Sequence, residues 1–178
     1  MYKSYGFEDQ MIFNKFIGEV QGRLDYKILA AAVSAYRKVK VGYIVPFPHA
    51  RETLLKLKLL GLKLGIVSDA PKLQAWLRLA ELNFLEFFDV VVTLDDTGKL
   101  KPHIRPFNHA IKLLGVKPSE VLFVGDNPAR DIMGAKKAGM KTALAKYGQY
   151  VKGRGIRPNH VLMKIKDIIA IVEKENHG

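Results

Sequence analysis

From Leu62 to its end the chain alternates short apolar runs with helix-like segments, and that alternation points to a parallel sheet flanked by helices. The apolar runs are Leu62–Val67, Asp89–Thr93, Val121–Val124, Lys141–Ala145 and His160–Leu162. Between them Pro71–Leu79, Pro102–Leu114 and Ala129–Ala138 read as helices, with Gly139 as the stop of the third, and a last helix runs to about Lys174. Phe84–Phe88 reads as a short helical turn or loop, and Tyr147–Asn159 as a polar stretch. Upstream the pattern is helical throughout. Phe7, Met11, Phe13, Phe16, Ile17 and Val20 recur at helical spacing until Gly22, and a second helix runs from about Asp25, as its N-cap, to about Val41. Pro46 and Pro48 close this part and open a helix that starts at Pro48-His49-Ala50-Arg51 and stops at Gly61. The expected organisation is therefore a helical segment over 1–45 and an α/β domain over 46–178.

Composition narrows the class. With 178 residues, nearly half of them apolar, the chain can bury one real core with a small appendage. It has no cysteine, which excludes disulfides, thiolate metal sites and a cysteine nucleophile and suits the cytoplasm. The N-terminal residues hold no signal-peptide apolar core, and the longest apolar helical run, Ile28–Tyr36, is far too short for a membrane span. The formal charge of +12 is spread over separated groups: Lys56, Lys58 and Lys63; Lys136, Lys137 and Lys141; Lys152, Arg154 and Arg157. Without a basic run or a recognisable nucleic-acid motif, this reads as a solvated lysine-rich surface that also attracts small phosphates, and no nucleic-acid partner is expected.

Ligands of open parallel sheets sit beyond the carboxyl ends of the strands, and three such ends carry polar chemistry. Val124 is followed by Gly125-Asp126, with Asp131 five residues on. Two hard oxygen ligands beside a strand end suit a Mg²⁺ ion bound to a phosphate. The same residues also suit a turn and a helix first turn, where the macrodipole favours an acid. Val67 is followed by Ser68-Asp69, whose hydroxyl and backbone N–H groups can hold a phosphate oxygen or, alternatively, cap a helix. The third loop reaches Lys101-Pro102, a lysine placed to neutralise phosphate charge unless it is merely a surface residue.

The order apolar strand–Ser68, then Lys101-Pro102, then Gly125-Asp126-x₄-Asp131, resembles the haloacid dehalogenase-like (HAD) hydrolase superfamily. Leu62–Asp69 is similar to its second motif, Lys101–Phe107 to its third, and Val121–Gly139 to its fourth together with the helix after it. The resemblance implies a three-layer Rossmann-like α/β fold, with Tyr5–Val45 as part of a small helical cap. It also implies a Mg²⁺-dependent phosphatase of small phosphorylated substrates, favoured over dehalogenation by the Gly-Asp-x₄-Asp acids. Carried across, Ser68 and the Asp69 N–H bind the phosphoryl group, Lys101 stabilises its charge, Asp126 ligates Mg²⁺, and Asp131 acts at the metal or orients Lys101.

One part of the family pattern is missing. Members begin with a strand ending in Asp-x-Asp-x-Thr, whose first Asp forms an aspartyl-phosphate and whose second is the general acid/base. Glu8-Asp9 and Asp25 follow no apolar run, and Asp69 and Asp89 stand in the wrong order. No nucleophile is found. In this fold that strand is central, and its loss leaves a gap of roughly 10 Å, two strand spacings, between the strands ending at Ser68 and Asp126. Three explanations compete: a start at an internal methionine with a few dozen upstream residues omitted, a separate partner chain or the second copy of a homodimer that supplies the strand, or a shortened, silent phosphate- and Mg²⁺-binding relative whose half-sheets close directly. The first is the least exotic.

Overall fold

The computed structural model describes residues 11–151, 153 and 155–176, so Phe7, Lys152 and Arg154 lie outside the described residues. The chain divides into two units between Val45 and Pro46.

The first unit holds α1, Ile12–Gln21, and α2, Tyr26–Tyr43. Gly22 ends α1 at φ 71°, a conformation glycine adopts without steric cost. Asp25 caps α2, its Oδ1 accepting from the N–H groups of Lys27 and Ile28 at 2.8 and 3.2 Å. Ile12 and Ile17 are buried, and the Phe13 and Tyr36 rings meet edge to face with centroids 5.5 Å apart.

The second unit runs α3 Ala50–Leu59, β1 Gly65–Val67, α4 Lys72–Glu81, β2 Val90–Val92, α5 Leu94–Thr97, α6 Ile104–Leu114, β3 Leu122–Gly125, α7 Met133–Lys137, β4 Lys141–Ala145, β5 His160–Leu162 and α8 Asp167–Asn176. All strand pairs are parallel, as the strand–helix alternation requires. The sheet is in two parts, β1-β2 and β3-β4-β5, and no ladder joins them among the described residues.

The hydrogen bonds identify the open edges. Val90 N–H donates to Leu64 O, and Ser68 N–H to Val92 O. Successive residues of a strand point their backbone groups to opposite sides, so Gly65 and Val67 turn theirs away from β2. Likewise Lys141 N–H donates to Val121 O. Leu122 and Val124 therefore turn their groups away from β4. All four residues of β3 are only half-buried, as expected of a strand with one uncovered edge.

Each half-sheet has its own core. Ala50, Leu79 and Phe84 gather Ile66 and Val91 on one side. Phe107, Ile111, Ala135, Ala138 and Met140 gather Val121 and Phe123 on the other, with Phe107 and Phe123 edge to face at 5.0 Å. Helix α6 serves both, packing on β1, β2 and α7.

Several boundaries differ from the sequence expectation. The strand expected from Leu62 begins at Gly65, because its ladder is only as long as β2 and has no second neighbour. The helix expected from Pro102 begins at Ile104, where the His103 Nδ1 accepts from Arg105 N–H at 3.1 Å. The helix expected from Ala129 opens with a turn of π-helix over Pro128–Ile132 before α7. Helix α5 is an element that the sequence pattern does not predict. It is set by a capping box, in which the Asp96 carboxylate accepts from Thr93 N–H and Oγ1–H at 2.8 and 2.6 Å. The Thr-x-x-Asp spacing was the available signal.

These contacts set two expectations for stability. A Cβ on Gly134 would fall 2.4 Å from Phe107 Cε2 and 3.2 Å from the Pro102 Cα. Gly134→Ala should cost about 1–3 kcal/mol through overpacking, read as a lowered urea midpoint with unchanged slope. Burial alone would raise the Asp96 carboxyl, but hydrogen bonds from Lys72 and Thr93 outweigh it and hold the group at about 2. A carboxyl depressed in the folded state stabilises above its unfolded value and loses that contribution as pH falls through the folded one. The stability gap between wild type and Asp96→Asn should therefore narrow as urea titrations move from pH 5 toward pH 2.

Candidate functional site

The residues singled out at the strand ends converge, and Lys101 is the point on which they do so. Its Nζ donates to the Val67 carbonyl at 3.0 Å and lies 2.9 Å from Asp131 Oδ1. Val67 O belongs to the open edge of β1. The Asp131 side chain lies over Gly125, the last residue of β3: a Cβ on Gly125 would fall 2.4 Å from the Asp131 Cβ. One ammonium thus spans the ends of the two half-sheets, and Gly125 is required because an aspartate packs upon it.

The Lys101 backbone is held as well. Its N–H donates to Asp69 Oδ1 at 2.9 Å, which ties the loop before α6 to the end of β1. The Lys101–Pro102 peptide is cis. Lys101 and Asp131 are 11% and 4% exposed at their side chains, so their ion pair is screened little by solvent. This is not the surface lysine that a lone Lys-Pro could have been.

Ser68 Oγ accepts from Ala70 N–H at 3.1 Å, which leaves its own proton free to donate. It does not cap α4. The Lys72 N–H in the first turn of α4 goes instead to Asp95 Oδ2 at 2.7 Å, from α5.

The turn after β3 is built by Asn127. Its Oδ1 accepts from the N–H groups of Ala129 and Arg130, and its own N–H donates to Asp131 Oδ2 at 3.0 Å. Asp131 is therefore engaged at both oxygens, one by a backbone N–H and one by Lys101. Burial raises the Asp126 carboxyl above the ordinary range, and the neighbouring Asp131 charge raises it further. Tyr147 stands beside it, its phenol raised by burial and then by the charges of Asp126 and Asp167. The Tyr147 and Phe47 rings meet edge to face at 4.9 Å, and a Cβ on Gly148 would lie 3.5 Å from the Asp126 Cβ.

Two carboxylate oxygens, Asp69 Oδ2 and Asp131 Oδ1, are buried without a hydrogen-bond donor. Each has a cation instead. Lys101 Nζ stands at ion-pair distance from Asp131 Oδ1 but at an angle unsuited to a hydrogen bond, and Arg130 Nη1 is 3.5 Å from Asp69 Oδ2. Sequence reasoning missed Asn127 and Arg130. Asn-Pro is a turn and helix-start signal that could have marked Asn127, whereas nothing local distinguishes Arg130 from other surface arginines.

The ends of two parallel strands and the loop before α6 thus bring together a lysine, a serine hydroxyl and three carboxylates. Over residues 1–145 the chain matches the haloacid dehalogenase-like hydrolases, and it belongs to that family. It is 38% identical over 138 residues to glyceraldehyde 3-phosphate phosphatase of Methanocaldococcus jannaschii, covering 78% of this chain and 60% of that protein. It is 35% identical over 166 residues to pyrophosphatase PpaX of Bacillus cereus, covering 88% of this chain and 74% of that protein. Among solved structures, a HAD phosphatase from Thermococcus onnurineus superposes with a TM-score of 0.65 at 34% identity, covering 71% of this chain and 57% of that one. The chain thus spans less than two thirds of the Methanocaldococcus relative and of the Thermococcus structure.

The buried pair carries a prediction of its own. Removing one partner of a buried ion pair strands the other, so Asp131→Ala should cost about 3–5 kcal/mol. Replacing both by apolar residues, Lys101→Met with Asp131→Leu, should restore much of that loss. A double-mutant cycle by urea unfolding reads the coupling, and additive losses would show that the pair does not hold the half-sheets.

Proposed function

We propose that this chain carries the phosphate- and metal-binding part of a Mg²⁺-dependent phosphatase acting on a small phosphorylated metabolite. The observation that carries the reading is the Lys101 ammonium held between Val67 O and Asp131, with Asp126 beside it.

The residues present fit the metal. Among the described residues no group of three or more acids and histidines forms a full cage. Mg²⁺ commonly takes one or two carboxylates and completes its shell with water and substrate phosphate oxygens. Asp126 is the principal ligand in this reading. Asp131, already bonded to Asn127 N–H and paired with Lys101, orients the lysine and adds negative charge toward the ion. When bound, the metal supplies charge neutralisation at the phosphoryl oxygens. The Ser68 hydroxyl donates to one of those oxygens, the Asp69 N–H assists, and Lys101 compensates the charge that develops on them. The helices of the first unit act as part of a cap.

Attack on phosphorus is assigned to an aspartate on a strand lying between β1 and β3, forming an aspartyl-phosphate. The open backbone groups of Gly65 and Val67, and of Leu122 and Val124, are the complementary edges for such a strand. Asp69 and Asp131 do not take this role, because each is engaged by its own contacts at the strand ends, and Asp126 is assigned to the metal. Lys101 is already aimed without that strand, which supports a second reading: a phosphate- and Mg²⁺-binding module that does not turn over.

Turnover separates the two. The 178-residue chain should hydrolyse p-nitrophenyl phosphate no faster than Mg²⁺ buffer. A form supplied with an apolar strand ending Asp-x-Asp-x-Thr should be active. Activity in that form should fall by several orders of magnitude when the first Asp becomes Asn, and substantially in Lys101→Ala. Robust turnover by the chain alone, lost in Asp126→Asn, would overturn the assignment of the nucleophile. An inactive strand-supplied form that still binds phosphate would establish the binding module.

A further inference from the structure

We infer that Arg130 makes this site selective for phosphorylated ligands that carry a second anionic group, such as a diphosphate or a phosphorylated carboxylate. The inference rests on the proposed phosphate site and adds a substrate class to it.

Arg130 lies in the turn between the two carboxylates of the third strand end. Its backbone is fixed, the N–H donating to Asn127 Oδ1 at 3.1 Å. Its side chain is 45% exposed, whereas Lys101 is 11% exposed. The two cations therefore differ in kind. Lys101 is buried, bonded to Val67 O and paired with Asp131, and its charge faces the phosphoryl group in the proposed site. Arg130 is half in solvent, and its one ion-pair partner among the described residues is Asp69 Oδ2, at 3.5 Å from Nη1. That oxygen is buried and receives no hydrogen bond. A guanidinium has five N–H donors in a planar fork, so one edge can stay beside Asp69 while the rest meet an oxyanion.

Charge balance agrees. Around Lys101 stand three carboxylates, Asp69, Asp126 and Asp131, against two cations, Lys101 and Arg130. The protein groups alone are one negative charge in excess. A bound divalent ion turns that into an excess of one positive charge, enough to favour a phosphoryl group but not a further anion held apart from it. The second anion needs its own donor, and Arg130 is the second cation of this cluster, half in solvent and with N–H groups to spare. Asp69 acts as its tether, keeping the guanidinium at the site before a ligand arrives. A triose phosphate whose other end is an uncharged aldehyde gains nothing from Arg130. A diphosphate gains a bidentate, charge-assisted contact.

Calorimetric titration of the intact chain with inorganic phosphate and with pyrophosphate, both as magnesium complexes, tests this without requiring turnover. Wild type should bind pyrophosphate about tenfold or more tighter than phosphate, a factor of ten being ~1.4 kcal/mol. Arg130→Gln should weaken pyrophosphate about tenfold more than phosphate. Arg130→Lys, which keeps the charge but loses the fork, should fall between. Asp69→Asn retains an acceptor for Lys101 N–H but releases the tether, and should weaken pyrophosphate more than phosphate. Equal affinities for the two anions in wild type, or equal losses for both in Arg130→Gln, would overturn the inference and leave the phosphate site standing. Absence of binding by either anion would overturn the phosphate site and this inference together.

Discussion

Everything at the strand ends depends on the placement of one ammonium ion. Lys101 receives its position from Asp69 through the backbone, from Val67 O through the open edge of β1, and from Asp131 through charge. These contacts come from two segments far apart in sequence, the end of β1 and the turn after β3. A lysine at the surface would contribute little to stability, whereas one buried between two carboxylate-bearing loops makes their separation costly. The charge that would act on a ligand is thus also the charge that holds the two half-sheets side by side. In the proposed site, one residue serves both the ligand and the cohesion of the strand ends.

The two-part sheet explains why the site is open. In a continuous parallel sheet the neighbouring strand would take the groups of Gly65 and Val67 and of Leu122 and Val124. Here no strand among the described residues pairs with those edges, and Lys101 occupies one of the carbonyls. Exposed edges invite association with other chains, and a charged side chain at the edge is one means of discouraging it. The chain spans only part of the Methanocaldococcus and Thermococcus proteins that it resembles.

Much of the architecture was legible in the residues. Lys141–Ala145 and His160–Leu162 occur as strands with the expected bounds, because apolar runs between turn residues leave little choice. The division of the sheet between the strands that end at Ser68 and Asp126 was legible too, from the order of the motifs, and no ladder joins those strands among the described residues. Two kinds of feature were not. Asp69 and Arg130 matter through partners more than thirty residues away, and no local pattern reports such a pairing. Helix α5 depends on a capping box in a segment whose composition reads as loop, and it in turn provides Asp95 to cap α4. Whether Asp131 is an oxygen ligand or a lysine partner is a question that spacing alone leaves open, since it places the carboxylate without saying which way each oxygen points.

Helix α6 has a role beyond filling the core. It starts only a few residues after Lys101, is anchored by the fully buried Phe107, and lies against β1, β2 and α7. An α-helix is stiff along its axis, so it works as a spacer bar bolted to both halves of the molecule. The width of the slot is then set by the thickness of the side chains beneath the bar rather than by the strands that border it. Drift in those core positions would widen or narrow the slot without touching a single polar group, and would tune which ligands the ammonium can reach.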